Sequence, residues 1–282
     1  MEIPPNLVSN SPLIQETFDF VAASGGRAHT SQIAEAVFRL EHASDELSHA
    51  LVCDLIENDR RFIIEDGSLL IRHQNSEARP IAEIDFVVLD VEAIAPKSGG
   101  ARIIELAAYR VHAAEIVDQF QTLINPGISL SPFIKQLTGL SNEMIAAAPT
   151  FAEIAERWLT FAGYGVLVAH NADFDVTLLN EEIARVYPGM RMANAELCTV
   201  KLARRVLRHT AGHNLDALAE LLGFEIDERH RAASDARATV RILLHLLEVL
   251  DTHGVRTLSE ARTLQRRVQD TSDLGAQLAL DV

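Results

Sequence analysis

At 282 residues, 48% hydrophobic and 23% charged, the chain has the size for one substantial core plus a smaller module and the composition of a globular protein, not a disordered or fibrous one. No apolar run approaches the length of a membrane span, and the first residues lack the basic and apolar regions of a secretory signal, so a cytoplasmic protein without membrane contact is expected. The net charge of -15 argues against a surface given over to phosphate, but it is unevenly spread: residues 1–80 hold six Arg and thirteen Asp or Glu, residues 251–282 four Arg and five acids.

Residues 1–78 read as a separate small domain. Leu13 to Ala23 is a helical stretch closed by Gly25-Gly26, since glycine takes the left-handed conformation at a helix end. Thr30-Ser31 offers capping oxygens to a helix carrying Ile33, Ala36, Val37 and Leu40. A third helix lines up Leu47, Leu51, Val52, Leu55 and Ile56 on one face. Arg61–Ile64 and Ser68–Ile71 flank Glu65-Asp66-Gly67, a hairpin with Asp-Gly in its turn. Three helices and a hairpin resemble a winged helix, a fold that often binds DNA through its third helix. Here that helix reads Asp45, Glu46, Asp54, Glu57 and Asp59, with no Lys or Arg before Arg60, so structural use or a protein partner is expected instead. The polar residues 73–83 include Pro80, and the linker is placed at 79–84.

The larger domain, residues 85–250, is organised around Phe86-Val87-Val88-Leu89-Asp90-Val91-Glu92. An apolar, largely β-branched run of this kind reads as a strand buried on both faces of a sheet. Asp90 and Glu92 stand at its C-terminal end two residues apart, so both carboxylates project from one face. Two such charges repel unless a cation lies between them or one is protonated. After a loop with Pro96 and Gly99-Gly100, strands are expected over Arg102–Tyr109 and Ile116–Ile124. Ser131-Pro132 starts a helix, and Thr150-Phe151-Ala152-Glu153 is a capping box opening one that buries Ile154, Trp158 and Leu159. Val166–Ala169, a second buried strand, runs into His170-Asn171-Ala172-Asp173-Phe174-Asp175 and a long helix to about Tyr187. Shorter helices cover about 200–208 and 214–222, and the last strongly periodic helix carries Ala236, Val240, Leu243, Leu244 and Leu247. Residues 251–282 read as a helical tail, where Arg256, Arg262, Arg266 and Arg267 beside Glu260 are a candidate phosphate contact. Strands with intervening helices make the domain α/β. Cys53 and Cys198 have no metal-ligand spacing and read as two reduced thiols.

Acids thus stand where apolar elements end in three places: Asp90-Val91-Glu92, His170 to Asp175, and His230-Arg231-Ala232-Ala233-Ser234-Asp235-Ala236. With these in order, residues 84–250 resemble the DEDDh 3′–5′ exonucleases, the family that includes the proofreading subunit of bacterial replicative polymerase. Asn125-Pro126-Gly127, Leu137-Thr138-Gly139-Leu140 and His213-Asn214-Leu215-Asp216 match as well. The resemblance implies a ribonuclease H-like α/β fold with a mixed central sheet flanked by helices. It also implies a hydrolase that removes nucleotides from single-stranded DNA 3′ ends in repair or replication. Asp90, Glu92, Asp175 and Asp235 would then hold two Mg2+ or Mn2+ ions, and His230 would take the proton from the attacking water. Family members commonly have two threonines and a glycine after the acid pair; Ala93-Ile94-Ala95 stands here, so a hydroxyl contact to the terminal nucleotide is missing.

The chemistry suits these residue types. Phosphodiester hydrolysis must stabilise added negative charge while water is activated, and hard divalent ions prefer carboxylate oxygens to Cys or His. Imidazole titrates near neutral pH and suits proton transfer. Other polar residues nearby carry blander expectations: Asp173 a solvated helix-start charge, His170 a turn-orienting group, His209 and His213 surface residues, Asp216 and Asp227 capping or solvation. Two other functions stay open at this point, an exoribonuclease with the same mechanism and a non-catalytic assembly module.

Overall fold

The computed structural model of the chain describes residues 4, 6–57, 59–72, 79–95, 100–207, 210 and 212–266. Residues 73–78, Pro96, Gly99, His209 and the tail from Arg267 onward, all singled out above, lie outside them.

The chain begins with β1 (Leu7–Ser9), α1 (Pro12–Ala23), β2 (Arg27–His29), α2 (Thr30–Ala36), α3 (Asp45–Ile56), β3 (Phe62–Glu65) and β4 (Ser68–Ile71). Strands β2, β4 and β3 form an antiparallel sheet with β4 in the middle. The helices close over it around Ile14, Val21, Ile33, Val52, Phe62 and Leu69. Gly25 and Gly26 do take the left-handed conformation after α1, at φ 79° and 86°. The cap of α2 differs from expectation: His29 is the N-cap, its Nδ1 accepting from Ser31 N–H, while Gln32 reaches back to the His29 N–H. Helix α2 stops at Ala36, short of Leu40, which is 40% exposed; Leu47 on α3 is 49% exposed, since periodicity tells which residues share a face but not how far that face is covered.

The larger body holds β5 (Phe86–Ile94), β6 (Arg102–His112), β7 (Glu115–Leu123), α4 (Pro132–Thr138), α5 (Asn142–Ala146), α6 (Phe151–Ala162), β8 (Val166–Ala169), α7 (Ala172–Val186), β9 (Met190–Met192), β10 (Glu196–Cys198), α8 (Thr199–Val206), α9 (Leu215–Leu221), α10 (Ala232–Thr252) and α11 (Leu258–Arg266). Its sheet runs β10-β8-β5-β6-β7, parallel across β10, β8 and β5 and antiparallel from β5 to β7. The period-2 alternation of β5 sorts its side chains between two cores. Val87, Leu89 and Val91 pack with α6 and α7 residues such as Trp158, Leu179 and Ile183. Phe86 and Val88 pack with Leu243, Leu246 and Leu250 of α10. Trp158 is fully buried, edge-on to Phe120 at 5.6 Å between ring centres.

Three placements differ from the sequence reading. First, β5 does not end at its acids but continues to Ile94, with a bulge between Glu92 and Ala93. Ile94 is buried with Ile104, Leu130, Leu140 and Ile145, so it is a packing residue. Second, residues 6–9 belong to the larger body. There β1 pairs with β9, Leu7 is buried in the α6–α7 core, and the Asn6 side chain donates to the carbonyls of Leu159 (2.9 Å) and Gly163 (3.0 Å). Third, the tail helix α11 is no appendage. Leu258 and Ala261 are buried, and Gln265 accepts from Cys198 N–H (2.9 Å) and donates to Glu196 O (3.2 Å). The linker is tied to the same end by an antiparallel bridge from Pro80 to Thr257. The Arg262 Nε is buried and Arg256 pairs with Asp251, which weakens the tail as a phosphate contact.

Candidate active site

Strand β8 covers only Phe86–Val88 of β5, while β6 follows β5 to Ile94. Beyond Val88 one edge of the central strand is therefore not paired by β8, and this stretch lies at the C-terminal ends of the parallel strands, the end at which ligands bind in open α/β sheets. The chain leaves β8 through His170 and Asn171. Asn171 adopts a left-handed φ of 85°, a conformation asparagine tolerates, and turns the chain sharply into α7. That turn brings Asp175 back to the open edge, where its Oδ1 accepts the Val91 N–H at 3.1 Å. On the other face, Asp90 and Glu92 continue the row of Phe86 and Val88 toward α10.

Helix α10 supplies Asp235 from its first turn, and the loop before it supplies His230, itself in the left-handed region at φ 62°. Non-glycine residues held there cost energy and cluster at functional sites. The His230 N–H donates to Asp235 Oδ2 at 3.3 Å. Ligand atoms of Glu92, His230 and Asp235 all lie within 4.8 Å of one another. Asp90 and Asp175 stand beside this trio.

Electrostatics mark the cluster as short of positive charge. Asp90 is raised well above the ordinary carboxylate range, first by burial, then by Asp175, Asp235 and Glu92. Burial, Asp235 and Glu105 push Glu92 up to about 7. Asp175 also rises to about 7 through burial, although its bond from Val91 works the other way. Asp235 is raised by burial against the opposing pull of Arg229. Its Oδ1 is buried and without a hydrogen-bond partner among the described residues. Four converging carboxylates that resist ionisation, one with an orphaned oxygen, fit hard divalent cations bound through oxygen.

The five residues picked from the sequence are thus brought to one cluster. The blander expectations fare unevenly. Asp173 is exposed but ion-paired with Lys201 at 2.7 Å. His170 meets Thr199 Oγ1 at 2.9 Å and burial lowers it to about 4, in line with a turn-orienting group. Asp216 is more than a cap, since it binds the guanidinium of Arg229, which reaches on to Asp235. Sequence reasoning missed Glu105 entirely. It is fully buried on β6, opposite Glu92, and accepts from Arg231 Nε and Nη2 (3.1 Å each) and from Ala232 N–H (3.2 Å). This bidentate pair fixes the start of α10, and a lone acid amid apolar residues 103–108 was its only signal.

Comparison with known proteins bears on the same residues. A family model described as "Exonuclease" (RNase_T) matches residues 87–243. The chain is 32% identical over 254 residues to "DNA polymerase III PolC-type" of Caldanaerobacter subterraneus subsp. tengcongensis, covering 90% of this chain but 18% of that protein. It is 38% identical over 165 residues to "DNA polymerase III subunit epsilon" of Aquifex aeolicus, covering 58% of this chain and 81% of that protein. The nuclease domain of 3′hExo, described as a DEDDh family member bound to rAMP, superposes with a TM-score of 0.51 at 21% identity, over 60% of this chain and 94% of that one. The fold is accordingly the ribonuclease H-like α/β fold. The matched region contains Asp90, Glu92, Asp175, His230 and Asp235, and the chain belongs to the exonuclease family, with the DEDDh set of residues in place.

Proposed function

We propose that the chain is a divalent-metal-dependent 3′–5′ exonuclease that removes nucleotides from single-stranded DNA 3′ ends, in proofreading or repair. The observation that carries this reading is the meeting of Glu92, His230 and Asp235 within 4.8 Å beside Asp90 and Asp175. Asp90, Glu92, Asp175 and Asp235 would hold two Mg2+ or Mn2+ ions, which when bound would supply Lewis-acid stabilisation of the phosphorus oxygens. His230 accepts the proton of the attacking water from the loop before α10. Water adds to phosphorus, the bond to the 3′ oxygen of the preceding nucleotide breaks, that oxygen takes a proton from solvent, and a nucleoside 5′-monophosphate leaves. The Glu105–Arg231 pair positions the start of α10, and with it Asp235 and His230.

The small module at residues 11–72 is assigned a winged-helix-like role in contacting a protein partner, because its acidic third helix is unsuited to phosphate. The test is a set of matched DNA and RNA oligonucleotides, labelled at either end, incubated with Mg2+. 5′-labelled DNA should shorten one nucleotide at a time, and RNA should be cut more slowly. No cleavage with either Mg2+ or Mn2+, or shortening from the 5′ end, would overturn it.

A further inference from the structure

Asp235 Oδ2 has two donors, the His230 N–H and Arg229 Nη1. Arg229 is held in turn by Asp216 at the start of α9, through Nε at 2.7 Å and Nη2 at 3.4 Å. The three side chains run inward from the surface, at 64%, 30% and 6% exposure for Asp216, Arg229 and Asp235. Both donors fall on one oxygen, and the other, Oδ1, is the buried atom without a hydrogen-bond partner among the described residues. We propose that Asp216 and Arg229 are positioning residues for metal binding: the relay Asp216–Arg229–Asp235 fixes the Asp235 carboxylate so that Oδ1 faces the cation. The inference rests on the proposed metal site.

The chemistry of the relay explains why it needs both members. A lone guanidinium beside a metal-binding carboxylate is a competing cation and would weaken the metal. Paired with Asp216 through two bonds, it adds one directed hydrogen bond to Asp235 at little net charge. Carboxylate ligands are commonly held by such partners, whose loss lowers metal affinity by about 10–100-fold. The guanidinium fork is required, because it donates to two carboxylates at once and a lysine ammonium lacks that geometry. The same fork ties α9 to the loop in which Glu228 (φ 48°) and His230 (φ 62°) both occupy the left-handed region, so the relay also holds the proton acceptor in place.

Mn2+ titration of the full chain, followed by electron paramagnetic resonance, tests this with Asp216→Asn, Arg229→Gln, Arg229→Lys, the Asp216→Asn/Arg229→Gln double variant, and Asp235→Ala. Asp216 is exposed, so its variant folds like the parent and any effect on the metal must travel through Arg229. Asp216→Asn, Arg229→Gln and Arg229→Lys should each weaken Mn2+ binding about tenfold or more. The double variant should be no weaker than the worse single one, as expected of residues acting as one unit. A purely structural role would instead lower melting temperature and leave Mn2+ affinity alone. Asp216→Asn and Arg229→Gln chains that bind Mn2+ within about twofold of the parent, or more tightly, would overturn the relay while Asp235→Ala still loses the ion. An Asp235→Ala chain that binds Mn2+ like the parent would overturn the metal site itself.

Discussion

The carboxylate of Asp175 accepts the main-chain N–H of Val91 at 3.1 Å, across the stretch of β5 that β8 leaves uncovered. One side chain thereby does two jobs. It satisfies a strand amide that the sheet cannot, and it aligns helix α7 with the acids of the central strand. The fold and the site are joined at this bond.

Replacing Asp175 separates the two jobs. Asp175→Asn keeps an acceptor for Val91 and removes a charge from a crowded acidic cluster, so without metal its melting temperature should equal or exceed that of the parent. Asp175→Ala strands a buried amide, at a cost of about 1–3 kcal/mol. Both should lose hydrolysis. Thermal melts without metal, set beside activity in Mg2+, check the pair; an active Asp175→Asn chain would contradict its role as a ligand.

The raised carboxylates make stability without metal depend on pH. Glu92 and Asp175 rise from 4.5 and 3.8 to about 7 in the fold, so between these values the folded chain binds protons that the unfolded chain has released. Their contribution is therefore fully present below about pH 4 and is lost as pH rises through about 7. In chelator, the melting temperature of the parent should fall across this window relative to Glu92→Gln. Added Mn2+ should abolish the difference in slope, because the ion takes up the charge that protons otherwise neutralise. Parallel curves for parent and variant would show that Glu92 ionises freely.

His230→Ala should lose about 10²–10⁴-fold in rate, the usual worth of general acid–base catalysis, while still binding Mn2+ and oligonucleotide. A Mn2+ titration and a single-turnover assay distinguish this from loss of a metal ligand. Activity near that of the parent would assign the proton to another acceptor.

The central strand and its acids were legible because an apolar run with period-2 acids has few other readings, and because Thr150 and Glu153 spell out their own cap. Three-residue strands were not: Leu7–Ser9, Met190–Met192 and Glu196–Cys198 are too short for periodicity, and they exist only because the chain brings an edge to them. The relay and the Glu105–Arg231 pair were illegible for a related reason. Arg231 and Glu105 are 126 residues apart, and Arg229 and Asp216 lie on different elements. Leu47 marks the opposite failure, a helical periodicity that continues past the surface actually buried.

The placement of Leu7 changes what a truncation means. Starting the chain at Pro80 removes β1 and the Asn6 side chain from the larger body, so it should destabilise that body even if the small module holds no DNA; Leu7→Ala alone should cost about 2–5 kcal/mol. Nucleic-acid contact by the module is better tested through its exposed cations. Arg27→Gln, Arg60→Gln and Arg72→Gln together should leave the salt dependence of single-stranded DNA binding in Ca2+ unchanged. Each lost phosphate contact would reduce the slope by about 0.7, so a clear reduction would show that the module does grip DNA.

In the proposed mechanism four carboxylates hold two ions and His230 is left free to move a proton. Anomalous diffraction from crystals soaked in Mn2+ tests it most directly. Two peaks about 4 Å apart are expected, shared among Asp90, Glu92, Asp175 and Asp235, with His230 outside the coordination sphere of both. A single ion held by Glu92, Asp235 and a ring nitrogen of His230, with Asp90 and Asp175 unliganded, would contradict it.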